Sequence, residues 1–188
     1  MKIGLVGEAP NDTQSVQCLL EKKYSLPEYE YCFLLNRING SQLDSQKTKR
    51  FLRIEYESEN PDIVIFIRDL DSILPNKEKL DLRKTYFSSS NSVVDKKGIF
   101  LLHIYEIEAL ILTDIETFNK IYNCEIPLIK DPMKIEEPKE FLRANSKKYN
   151  ESDNSDVFHE MDFDKTLNCK YFKDFISLFE KRMNAIKT

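Results

Sequence analysis

The residues of this chain best suited to chemistry are carboxylates at the ends of apolar runs. In IVIFIRDLDSI (63–73), five apolar residues and Arg68 lead into Asp69 and Asp71. Alternate side chains of an extended segment share a face, so these two aspartates are expected side by side, with Leu70 turned to the core. Like charges so placed raise each other's pKa, and a proton or a cation must relieve the repulsion. The pattern recurs twice. LVGEAPND sets Glu8 and Asp12 after one apolar run, and FLLHIYEIEAL sets Glu106 and Glu108 after another. Glu108 joins Glu106 on one face if the strand persists and turns away if a helix has begun. Mg²⁺ or Mn²⁺ suits such an all-oxygen set, since Mg²⁺ takes one or two carboxylates and keeps waters for a substrate phosphate. A metal held there would polarise a phosphoryl oxygen and acidify a bound water. One D-x-D alone is also what a solvated loop carries; three acidic strand ends are a stronger pattern.

The remaining polar residues divide between binding and structural readings. KTKRFLR carries Lys47, Lys49, Arg50 and Arg53 without an intervening acid. This is a solvated helix face or, for a nucleic-acid substrate, a set of phosphate contacts together with Arg68, Arg83 and Lys84. Asp114 projects into an apolar helical stripe and reads as a structural acid bonded to backbone or lysine. His103, inside IFLLHIY, reads as a hydrogen-bonded structural histidine. Cys18, Cys32, Cys124 and Cys169 have no metal-clip spacing and read as small core or surface residues.

Four near-continuous apolar runs must position the acids: residues 2–7, 29–38, 61–69 and 98–105. Between them lie a helix capped by Asn11 or Asp12 and running to Tyr24, and a polar helix over 42–57. The latter follows an Asn39-Gly40 turn and a Ser41/Asp44 capping box. A Lys- and Ser-rich region over 75–97, starting at Pro75, is expected to be partly helical at best. A single amphipathic helix is expected over 106–123. Strands apolar on both faces belong to a parallel sheet covered by helices. The fold class is therefore α/β: a small doubly wound, mainly parallel four-stranded sheet over residues 1–123. A helical and loop extension over 124–188 packs on it, with a short helix near 137–148 and a closing helix over 170–186. Ligands of such sheets bind beyond the carboxyl ends of the strands, which is where the acids fall.

The 188 residues suffice for one well-buried domain, and a net charge of −4 gives no global sign of nucleic-acid affinity. No apolar run approaches the roughly 20 residues of a membrane span. The N-terminal run is short and followed by an acid, unlike a secretory signal, so a cytoplasmic location is expected.

LVGEAPND, FIRDLDS and IYEIEALILTD together resemble the TOPRIM fold. More narrowly, they resemble a bacterial TOPRIM-like family of uncharacterised function found in mobile and phage-defence loci beside ABC-type ATPases. Asp131-Pro132 and the Phe172–Phe175 spacing echo that family's later motifs. The resemblance implies Mg²⁺-dependent cleavage of phosphodiester bonds in DNA or RNA, such as tRNA, with an ATPase partner. It makes Glu8 a general acid/base or metal ligand, Asp69 (also catalytic) and Asp71 metal ligands, and Glu106 or Glu108 a supporting acid. Two positions depart from it: Ala9 replaces a glycine beside the glutamate, and Leu110 a tryptophan. The alternatives are a non-catalytic scaffold or sensor for the ATPase, and a phosphatase resembling the haloacid-dehalogenase-like enzymes. The phosphatase reading suffers because its aspartate would follow the first strand, not the third.

Overall fold

The computed structural model describes every residue except Leu26, Asn39, Pro75 and Thr188, together with all side chains of the other residues but Ser41. The turn reading at Asn39, the boundary at Pro75 and the Ser41 half of the capping box therefore fall outside what is described. Four parallel strands, β1 (Lys2–Val6), β2 (Glu30–Phe33), β3 (Ile63–Asp69) and β4 (Gly98–His103), lie in the order β2-β1-β3-β4. The register pairs Ile3 with Ile63 and Asp69 with His103. Strand order reverses between β1 and β3, so the crevice of this sheet opens where Glu8 and Asp69 emerge.

Alternation along β3 divides the core in two. Ile63, Ile65 and Ile67 pack with Ile3, Leu5, Ile99 and Leu101 under α1 (Pro10–Glu21) and the C-terminal helices. Val64 and Phe66 face α2 (Gln46–Glu59) and α3 (Lys77–Val93), against Leu52, Tyr56 and Tyr86. Asp69 thus continues the first face and Arg68 the second.

Several boundaries differ from expectation. The second strand stops at Phe33, and the following helix starts at Gln46, where the Ser45 hydroxyl accepts from the Thr48 N–H. The Lys- and Ser-rich region is a 17-residue helix, capped by the Asn76 side chain. Edge-on packing of Phe66 against Tyr86 and Phe87 holds it there, overriding the weak helix propensity of its serines. The helix expected over 106–123 is instead a 3-10 segment, Ile107–Asp114, leading into α4 (Ile115–Tyr122). Ile107 through Leu112 are buried on every side, so surrounding packing sets their backbone. Asp114 breaks the segment by turning its carboxylate to the Asp162 N–H (2.9 Å) and Lys165 Nζ (2.7 Å). It is structural, as its place in the stripe suggested.

The C-terminal third is more helical than expected: α5 (Pro138–Asn145), α6 (Asn154–Glu160), α7 (Phe163–Thr166) and α8 (Lys170–Lys187). Its apolar residues join the sheet's first face in one cluster, with Phe172, Phe175, Ile176, Phe179 and Met183 of α8 at its base. No helix among the described residues is long and apolar enough to cross a membrane.

Candidate active site

The pocket at the β1/β3 switch point has a volume of about 390 Å³. Asp12, Asp69 and Glu108 line it from the sheet side, with Lys139, Asn150 and Ser152 among the residues opposite. Each acid arrives by a different local device. Asp69 is the last residue of β3. Asp12 sits in the first turn of α1, where its Oδ2 accepts from the Ala9 N–H at 3.0 Å and so fixes the helix start. Glu108 belongs to the buried 3-10 segment and is only 4% exposed.

These groups repel one another. Burial pushes the Asp69 carboxyl well above the usual carboxylate range, and the charges of Asp12, Glu108, Glu8 and Asp71 add to the shift. Burial likewise raises Asp12 to about 7, with Glu108 and Glu8 contributing and the Ala9 N–H opposing. Glu108 is raised by burial, offset in part by a hydrogen bond from Asn154. The Asp69 carboxylate makes no ion pair or hydrogen bond among the described residues.

The other expected acids are compensated by bases. Glu8 Oε1 accepts from Arg68 Nε at 2.6 Å and from the Asp69 N–H at 3.3 Å. Gly40 packs on this carboxylate, and a Cβ there would stand 2.7 Å from Glu8 Oε2. Asp71 does not stand beside Asp69. The chain turns after β3 into a left-handed residue (φ 53°), Leu70 drops into the core, and Asp71, 54% exposed, meets Arg83 Nη2 at 2.6 Å. Arg83 Nε also donates to the Asp69 carbonyl at 2.7 Å, tying the turn to α3. Glu106 pairs with Lys139 Nζ at 3.2 Å. It is Glu108, and not Glu106, that brings into the pocket a carboxylate without an ion pair among the described residues.

The basic residues separate in the same way. Arg68 is 3% exposed, with its guanidinium 4.4 Å from the Tyr86 ring centroid, so it is an internal partner of Glu8 and not a phosphate contact. Arg53 is held by Glu57 at 2.6 Å and Asp95 at 2.7 Å. Lys47, Lys49 and Arg50 make no ion pair among the described residues. His103 is buried with no hydrogen-bond partner for Nε2 among the described residues, contrary to expectation, and burial lowers its pKa to about 3, keeping it neutral.

The sequence pattern placed Asp12 among the acids beyond a strand end and as a helix cap, without making it a metal ligand, and it did not point to Lys139 or Asn154. Asp12 carried a usable signal, an acid in the first turn of a helix beyond a strand end. Lys139 and Asn154 carried none, because they reach the pocket through long-range packing.

Among the described residues, no three His, Cys, Asp or Glu side chains are grouped to hold a metal ion. Comparison with protein-family models, curated proteins and solved structures finds no match to this chain.

Proposed function

We propose that this chain is a divalent-cation-dependent phosphodiester hydrolase acting on nucleic acid, with its site at Asp69, Asp12 and Glu108. One observation carries the reading: the Asp69 carboxylate stands at the switch point of the sheet with no ion pair or hydrogen bond among the described residues, and the charges that act on it most are those of Asp12, Glu108, Glu8 and Asp71. An all-oxygen, negatively charged donor set suits Mg²⁺ or Mn²⁺. Since Mg²⁺ draws only one or two carboxylates from the protein, Asp69 with Asp12 or Glu108 meets that need without a three-residue cluster. When bound, such an ion supplies phosphoryl polarisation and an acidified water. In this reading Glu8 acts from outside the pocket, accepting the Asp69 N–H and so orienting the end of β3. Lys139, on the far wall, presents positive charge toward a phosphate while Glu106 and Glu151 hold its position. Lys47, Lys49 and Arg50, in the first turns of α2, are the basic residues left to meet nucleic-acid phosphates.

The ion pairs Glu8–Arg68, Asp71–Arg83 and Glu106–Lys139 favour a second reading, a non-catalytic scaffold of TOPRIM-like form. Two measurements separate them. Under the hydrolase reading, Mn²⁺ raises the Tm of the wild type by mass action, about 2.7 kcal/mol at a hundredfold excess over Kd. Asp69→Asn in EDTA should melt at or above the wild type and gain nothing from Mn²⁺. Plasmid, single-stranded DNA and total tRNA should be cleaved with Mn²⁺ by the wild type and not by the variant. A Tm indifferent to Mn²⁺ ends the hydrolase reading; Mn²⁺ binding with all three polynucleotides intact favours the scaffold.

A further inference from the structure

The pocket's far wall belongs to the C-terminal third of the chain, and that segment also reaches under the acids. Asn154, at the start of α6, is 1% exposed. Its Nδ2 donates to Glu108 Oε1 at 2.9 Å, and its Oδ1 accepts from the Tyr149 hydroxyl at 2.7 Å. Tyr149 is itself fixed, its ring edge-on to Phe118 (centroids 5.4 Å apart) and Tyr122 (5.6 Å).

The order of this relay is determined by what each group can do. A carboxylate only accepts, and a carboxamide has one donating and one accepting end. The Tyr149 hydroxyl occupies the accepting end, so the donating end must face Glu108. Three polar groups are thus desolvated together in an interior where a leucine of Asn154's size would pack without that cost. Of the three residues of the relay, Glu108 is the one that lines the pocket.

We propose that Asn154, oriented by Tyr149, is a positioning residue that holds the Glu108 carboxylate toward the pocket, so that the C-terminal extension completes the site. The role of Glu108 rests on the hydrolase reading above. Partners of this kind, one bond removed from a metal-facing carboxylate, typically change metal affinity 10- to 100-fold when lost.

The test uses the full chain and Mn²⁺ alone, with free Mn²⁺ followed by electron paramagnetic resonance. Asn154→Leu preserves shape and removes the relay, while Tyr149→Phe keeps the ring and removes only the hydroxyl. Both variants should fold. The Mn²⁺ Kd should rise roughly tenfold or more for Asn154→Leu and several-fold for Tyr149→Phe. An unchanged Kd in Asn154→Leu overturns the proposal. If the wild type itself binds no Mn²⁺, the hydrolase reading fails on its own account. The relay is then decided by Tm values in EDTA for Asn154→Leu, Glu108→Gln and the double variant. Additive changes would show that Asn154 does not act through Glu108; a double variant resembling either single one sustains it.

Discussion

Asp12 illustrates how one residue records the electrostatics of the whole pocket. Its carboxyl is pushed up to about 7, chiefly by burial and then by Glu108 and Glu8. An acid whose pKa is higher folded than unfolded takes up a proton on folding. It therefore imposes no penalty below its unfolded pKa of about 3.9, a growing one as pH rises, and the full penalty above about 7. Asp12→Asn keeps an oxygen for the Ala9 N–H and removes the charge. In EDTA, the Tm of this variant should exceed that of the wild type by a margin that widens from pH 4 to about pH 7 and then levels. A margin constant across that range would show that Asp12 is not strained by its neighbours.

Among the elements, the turn joining β3 to α3 decides which acid faces the pocket. Asp71 (φ 53°) and Tyr105 (φ 58°) are both left-handed, and the Asp71 N–H donates to the Tyr105 carbonyl at 2.9 Å. The two strained residues brace each other across the ends of β3 and β4, while Arg83 anchors Asp71 to α3. A left-handed non-glycine residue costs about 1–2 kcal/mol. Replacing Asp71 by Ala or by Gly removes the same ion pair, but only Gly relieves the backbone. Urea unfolding should find Asp71→Gly about 1 kcal/mol more stable than Asp71→Ala. Equal stabilities would mean that the turn relaxes when its ion pair is lost. The expected side-by-side D-x-D failed for this reason: it presumed extended backbone through residue 71, and the chain turns left-handed at Asp71 itself.

In the whole molecule, the sheet's first face and the C-terminal third share one apolar cluster, so pocket floor and far wall are fixed by the same core. Phe179 of α8 lies at its base, fully buried, with its ring edge-on to Tyr24 at 5.2 Å. Phe179→Ala should destabilise the protein by about 3–5 kcal/mol, through lost transfer energy and the cavity left behind. The neighbouring Leu178, 49% exposed, should change stability by no more than about 0.5 kcal/mol when truncated. Denaturant unfolding of both variants checks this. Comparable losses at the two positions would show that α8 does not hold its place by this apolar stripe.

What the sequence determined by itself was periodic or adjacent along the chain. Apolar runs long enough to be buried on both faces required a parallel sheet, and the one-sided spacing of Phe172, Phe175, Ile176, Phe179, Met183 and Ile186 required the closing helix. Acids directly after those runs were bound to appear at the carboxyl edge, because a strand delivers whatever follows it there. Tertiary structure alone decided which acids keep their charge uncompensated. Arg68, Arg83 and Lys139 neutralise Glu8, Asp71 and Glu106 from elements 12 to 60 residues away in sequence. Asn154 crosses 46 residues to reach Glu108. Pairings over such separations leave no periodic trace, since Coulomb attraction and hydrogen bonding act through space and depend on packing that the local pattern does not encode.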